Sequence, residues 1–167
     1  MQVEIRRART SDIRAIRALV DTYTSDRRLL SKATVTLYEH VQEFWVAVDS
    51  DAGRVIGCGA LHVMWEDLAE IRTVAVDPAF RGQKIGHRIV SELLDVARGL
   101  GVARVFCLTF ETSFFGSFGF AEIDGAPVPH GVYEQLLRSY DEGVAEFLDL
   151  ERVKPNTLGN TRMLLHL

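Results

Sequence analysis

Residues 81–87 read Arg-Gly-Gln-Lys-Ile-Gly-His, a loop in which two glycines alternate with side chains able to carry positive charge. The loop follows a β-branched run that stops at Asp77-Pro78, and it opens directly into a helical pattern. Helix N-terminal N–H groups and the helix dipole favour negative charge, so this composition points to a bound anion. It is not a P-loop: Gly82-x-x-x-Gly86 is one residue short between its glycines and lacks the following Lys-Ser/Thr. Gly57-Cys58-Gly59 matches half of a dinucleotide fingerprint, but it lies within a strand pattern and has no third glycine. The chain carries no His-Glu-x-x-His, no Cys-x-x-Cys and no Gly-x-Ser-x-Gly elbow, so zinc chemistry and a serine nucleophile lose support and no metal is expected.

The elements that must position this loop follow from periodicity. At 167 residues and 47% apolar content, a single α/β domain over 1–167 is expected. Val3 to Arg7 reads as a strand, and Thr10-Ser11-Asp12 as the N-cap of a helix carrying Ile13, Ile16, Leu19, Val20 and Tyr23. A polar break, Thr24 to Arg28, precedes a second helical stretch ending near Gln42. Phe44–Val48, Val55–Trp65 and Ala69–Val76 read as an antiparallel meander. After the loop, Ile89, Val90, Leu93, Leu94 and Ala97 form one face of a helix that stops at Gly99 and Gly101. Arg104–Thr109 is then reached by a right-handed parallel crossover. Ser113–Phe118 is expected as a short aromatic helix, Phe120–Ile123 as a strand start, Tyr133–Tyr140 as a helix and Thr161–Leu167 as a last strand.

A net charge of −4 supplies no global basic field for nucleic acid, although cations cluster at Arg6-Arg7-Arg9, at Arg27-Arg28-Lys32 and in the loop. No apolar run approaches a membrane span, and Met1-Gln2-Val3-Glu4 begins no signal peptide. The two cysteines, Cys58 and Cys107, sit in apolar strands as small core residues, which suits the cytoplasm.

The order strand, Asp-Pro, Arg81-Gly82-Gln83-Lys84-Ile85-Gly86, helix, strand, aromatic helix, Phe118-Gly119-Phe120 resembles the GNAT superfamily of acetyl-CoA-dependent N-acetyltransferases. The resemblance implies a mixed α/β fold with a central splayed β-sheet flanked by helices, and loop amides that cradle the coenzyme A pyrophosphate. Lys84 stands where the family signature has its first glycine, exchanging backbone freedom for a cation. On the same grounds acetyl-CoA is expected against Val74, Ala75, Val76, the loop from Arg81 to His87, Leu108, Phe114 and Phe115. A backbone N–H near Val74 would polarise the thioester carbonyl. Phe115 takes the place of the tyrosine that protonates the leaving sulfur in many members.

More narrowly, "RRLLSKATVTLYEHVQEFWVAV", "AEIRTVAV", "LTFETSFFGSFGF" and "VKPNTLGNTRMLL" resemble the short bacterial amino-acid acetyltransferases that make N-acetylglutamate, without the amino-acid kinase domain of longer ones. That implies acetylation of the glutamate α-amine, the entry step to arginine synthesis. Acceptor transfer needs a neutral amine, and Glu70, at the start of the strand entering the site, is the leading base; the alternative is an edge-strand carboxylate paired to an arginine. Lys32 and Arg72 are the expected cations for the substrate carboxylates, with Lys154 and Asn160-Thr161-Arg162 from the C-terminal segment. The expected partner is a small-molecule amino acid, with no nucleic acid or membrane; a homodimer is left open. Glutamine or another small amine as acceptor, and a non-catalytic acyl-CoA-binding module, are the competing readings.

Overall fold

Val3–Arg7 forms β1, antiparallel to β2, Phe44–Asp49. This is a computed structural model describing residues 1–24 and 32–167. Arg27 and Arg28 of the expected basic cluster, and most of the expected polar break, lie outside those residues. The chain divides into two units, Met1–His62 with Ile71–Val96, and Val63–Glu70 with Ala97–Leu167.

In the first unit, α1 spans Ile13–Thr24 and α2 spans Thr34–Glu39, ahead of a 3-10 turn at Val41–Glu43. The second expected helix is therefore shorter than its pattern suggested. Strand β2 pairs antiparallel with β3, Arg54–Trp65, and β4 runs Leu68–Val76. Ile13, Ile16, Leu19 and Val20 of α1 pack with Leu37 of α2 on Phe44, Val46, Cys58 and Ala60, one face of the strands. The other face receives α3, Ile85–Leu100, and there the odd glycines matter. A Cβ at Gly57 would lie 2.9 Å from Ile89 Cδ1, and one at Gly59 would lie 2.8 Å from Ile89 Cγ2 and 3.1 Å from Leu93 Cδ1. Gly57 and Gly59 are thus a seat for a helix, not part of a nucleotide fingerprint. The helix runs through Gly99 and ends at Gly101, whose φ of 85° lets the last turn close through Gly101 N–H to Arg98 and Val102 N–H to Ala97.

The expected N-cap Thr10-Ser11-Asp12 is a 3-10 turn in which Asp12 reaches backwards. Its carboxylate accepts the Arg9 N–H at 2.7 Å and two Arg6 nitrogens at 2.8 and 3.1 Å. Burial pushes the Asp12 carboxyl up, but the bonds from Arg6 and Arg9 outweigh it and hold it below the usual carboxylate range. A carboxyl lowered by folding contributes stability above its unfolded value, and that stability is lost as pH falls through the folded one. Asp12→Asn should therefore cost about 2 kcal/mol at neutral pH. The variant's deficit should shrink below the unfolded carboxylate value of about pH 3.9, which urea unfolding across acid pH measures.

The second unit contains the beginning of β4 and β5, Arg104–Thr109, paired in parallel at Leu68↔Arg104, Ala69↔Val105 and Glu70↔Phe106. Register ends there, although β4 continues to Val76. Then come α4, Thr112–Gly116, β6, Ala121–Glu122, and α5, His130–Leu136. They are followed by α6, Glu142–Phe147, and α7, Lys154–Thr157, which periodicity did not reveal. The last strand, β7, is Thr161–His166, antiparallel to both β5 and β6. Phe106, Leu164, Met64 and Leu68 pack against Leu136, Val144 and Phe147, with the Phe106 and Phe147 rings edge to face at 5.1 Å. The complete strand order is β1-β2-β3-β4-β5-β7-β6.

Candidate active site

In the first unit, β4 does not end as a regular strand. Thr73 takes a φ of 57°, an outlier for a β-branched residue, and it is 6% exposed. Cys58 Sγ donates to the Thr73 carbonyl at 3.4 Å, and the Tyr23 hydroxyl of α1 donates to the Val76 carbonyl. Val74, Ala75 and Val76 thus form a strand end whose backbone is gripped by side chains.

The chain leaves β4 through a 3-10 turn, Pro78–Phe80. Asp77 caps it by accepting the Ala79 N–H at 3.0 Å, and Arg54 lies 3.4 Å from the same carboxylate and 5.3 Å from the Phe80 ring centroid. Arg81, Gly82, Gln83 and Lys84 are then exposed, Ile85 is buried beneath Gly57, and His87 is exposed again. Ile85 therefore anchors the loop and can offer a ligand only its backbone.

Gly82 has a φ of 79° with nothing within 4 Å of where a Cβ would stand, just ahead of the N-terminus of α3. Lys84, the residue replacing the signature glycine, has a φ of 59°. The backbone keeps a glycine's conformation and carries a cation on it. A left-handed residue costs about 1–2 kcal/mol when it is not glycine. Lys84→Gly is accordingly expected to raise stability by about 1 kcal/mol. It should also weaken acetyl-CoA severalfold, more at low salt. Thermal melting and titration at two ionic strengths check the pair.

Arg72 of β4 is partly buried, and the Lys32 carbonyl accepts a hydrogen bond from Arg17 Nη1 of α1. His62 Nδ1 lies 2.8 Å from Glu43 Oε2.

In the second unit, Glu70 is 3% exposed on β4, which lies between β3 and β5. It is a central-strand carboxylate, so the edge-strand reading does not hold. Burial drives the Cys107 thiol well up and the charge of Glu70 adds to the rise. Leu108, half-buried, pairs with Arg162 across β5 and β7. Phe115 is 6% exposed, edge-on to Phe114 at 5.1 Å and to Phe120 at 5.3 Å. A tyrosine there would carry its hydroxyl into an aromatic cluster.

Two expected substrate cations have other work. Lys154 Nζ lies 3.1 Å from Glu151, whose hydrogen bond raises the Lys154 ammonium pKa. Arg162 Nη1 donates to the Glu146 carbonyl at 2.5 Å, and its Nη2 donates to those of Gly125 and Phe147 at 2.6 Å each. Burial pulls the Arg162 guanidinium down while Asp149 and Asp124 oppose that. This arginine fastens α6 and the loop at Gly125 to β7. Asn160 and Thr161, both half-buried, precede it. Of the expected site residues, the first unit holds Lys32, Arg72, Val74–Val76 and the loop; the second holds Glu70, Leu108, Phe114, Phe115, Lys154 and Asn160–Arg162. Sequence reasoning missed Thr73, Cys58 and Tyr23, whose parts depend on a backbone angle and its bonding partners.

Among the described residues, no group of three or more His, Cys, Asp or Glu could hold a metal ion, and no helix is long and apolar enough to cross a membrane.

The mixed sheet, whose central strand leads through the glycine loop into α3, is joined by a match of residues 12–125 to the acetyltransferase (GNAT) family, to which the chain belongs. It is 65% identical over 162 residues to an amino-acid acetyltransferase of Mycobacterium tuberculosis, covering 96% of this chain and 92% of that one. The crystal structure of Rv2747 from M. tuberculosis in complex with CoA and NLQ superposes with a TM-score of 0.95 at 64% identity, over 98% of this chain and 99% of that one. N-acetylglutamate synthase from Neisseria gonorrhoeae, complexed with coenzyme A and N-acetyl-glutamate, has a TM-score of 0.78 at 25% identity; all of this chain matches 35% of that one.

Proposed function

We propose that the chain transfers the acetyl group of acetyl-CoA to the α-amine of L-glutamate, the entry step to arginine synthesis. The observation that carries this reading is the near full-length identity to the M. tuberculosis amino-acid acetyltransferase. The N-acetyl-glutamate bound to the N. gonorrhoeae neighbour supports glutamate as the acceptor. Two buried free thiols suit a reducing cytoplasm.

The loop fits a pyrophosphate. Its backbone is left-handed at Gly82 and Lys84 with open space where a Gly82 Cβ would stand, the start of α3 adds a favourable dipole, and exposed Arg81, Lys84 and His87 can supply donors. When bound, acetyl-CoA supplies an activated acyl group, and the acceptor nitrogen displaces sulfur at its carbonyl carbon. Val74 N–H donates to the carbonyl oxygen as negative charge develops there. Glu70, directly or through a water, takes the proton that the amine must lose. With Phe115 buried in its aromatic cluster, no side-chain acid stands at that position, and the CoA sulfur departs as a thiolate that takes its proton from solvent. A thiol with a pKa of about 8.5 can do so.

Lys32 and Arg72 bind the two carboxylates of glutamate in this reading, whereas Arg162 is engaged by backbone carbonyls and Lys154 by Glu151. Removing a charge-assisted contact costs about 1.5–3 kcal/mol, so Lys32→Ala and Arg72→Ala should each raise the glutamate KM by about tenfold or more. The acetyl-CoA KM should stay nearly unchanged. Steady-state kinetics with each substrate varied measures both, and two wild-type-like variants would end the assignment of these cations.

A further inference from the structure

The kinked end of β4 needs something to hold it. A β-branched residue at a φ of 57° inside a strand is strained, and such backbone persists only where surrounding contacts over-determine it. Two side chains from different elements provide those contacts: Cys58 of β3 on the Thr73 carbonyl, and Tyr23 of α1 on the Val76 carbonyl. The Asp77 N–H, in the same peptide plane as that Val76 carbonyl, donates to Ile56 at 2.8 Å and pins the far end.

The geometry at Cys58 has a direct chemical consequence. The Thr73 carbonyl and the Val74 N–H belong to one planar peptide, and the described chain has no cis bonds, so the two groups point in opposite directions. Holding the carbonyl on Cys58 therefore aims the Val74 N–H away from that thiol. Burial pushes the Cys58 thiol up to about 12, against a backbone hydrogen bond from Ala75, so it remains a protonated donor across the working range. At 0% exposure it is no nucleophile. Tyr23, half-buried against the same core, adds a second anchor on the next stretch of backbone.

We propose that Cys58 and Tyr23 are positioning residues, a side-chain clamp on Thr73–Val76 that fixes the direction of the N–H polarising the thioester carbonyl. The proposal rests on the role given to Val74 above. Neither residue touches the reacting atoms; both act through the backbone.

The test uses the full chain with acetyl-CoA labelled with carbon-13 at the carbonyl, so that isotope-edited infrared spectra read carbonyl polarisation without any acceptor. In the wild type the bound carbonyl band should shift below that of free acetyl-CoA. Cys58→Ala and Tyr23→Phe should each move it back toward the free position and lower kcat by about tenfold, a fraction of the loss from deleting an oxyanion donor outright. The acetyl-CoA KM should change by less than about twofold, as expected for an interaction made mainly in the transition state. Cys58→Ser keeps a donor and should keep the shifted band, with kcat within about threefold of wild type. A shifted wild-type band that survives both Cys58→Ala and Tyr23→Phe removes the clamp while leaving Val74 in place. A wild-type band at the free position removes the Val74 role and the clamp together. Losses that follow melting temperature alone, and are as large in Cys58→Ser as in Cys58→Ala, would make Cys58 a packing residue and overturn the proposal.

Discussion

Glu70→Gln should lower kcat for acetylation by about a hundredfold to a thousandfold at neutral pH, the range expected when a positioned base is lost. The substitution keeps the size and planarity of a side chain that is 3% exposed, so the fold should survive it. What it removes, on the mechanism proposed above, is the acceptor of the amine proton. The α-amine of a free amino acid is largely protonated near neutrality, so a proton must be lost before it can attack. As pH rises, more acceptor arrives already neutral, and the variant should recover part of its rate. A pH–rate profile parallel to that of the wild type would take Glu70 out of the mechanism and leave solvent as the proton sink.

The largest structural effect is expected at Gly59. A single added Cβ would already stand 2.8 Å from Ile89 Cγ2, 3.1 Å from Leu93 Cδ1 and 3.4 Å from Val74 Cγ2. Valine adds two further methyl groups to a seat that is full. Ile89 and Leu93 are fully buried on α3, so the helix must lift or the side chains must leave their rotamers. Overpacking of that kind costs about 3 kcal/mol or more. Because α3 begins immediately after the loop, a lifted helix also moves the N-terminus proposed above to receive the pyrophosphate. Gly59→Val should therefore lose acetyl-CoA affinity along with stability, whereas a substitution at exposed Gly99, with nothing within 4 Å, should lose little of either. Denaturant unfolding and acetyl-CoA titration on the two variants decide this. Equal behaviour at positions 59 and 99 would show that the helix seat tolerates side chains.

What was legible in the sequence follows a physical pattern. Strands β1 to β5, β7 and the helices α1 and α3 are long enough for their periodicity to show, and their expected boundaries fall within a few residues of those found. Helices α6 and α7, six and four residues long, complete too few turns for a 3.6-residue repeat to emerge. The helix expected over Tyr133–Tyr140 begins earlier, at His130, because Pro129 ahead of it can supply the helix entry. The loop was readable because its chemistry is local, and the departure at Lys84 could be located, though not the left-handed backbone that comes with it.

Other site features are tertiary and leave no local trace. Thr73 reads as an ordinary strand residue, since a positive φ is imposed by its neighbours in space. Arg162 reads as a cation for a carboxylate, and only the three carbonyls around it reveal a fastening role. Gly57 and Gly59 carry a signal for close approach, but whether the approaching group is a phosphate or a helix depends on what packs there.

The central claim is tested most directly by incubating the purified chain with acetyl-CoA and a panel of amino acids and small amines, following thiol release and identifying the product by mass. Glutamate should yield N-acetylglutamate faster than any uncharged amine, with one thiol released per acetyl transferred. Tight acetyl-CoA binding without turnover on any acceptor, or equal rates with glutamate and an uncharged amine, would contradict it.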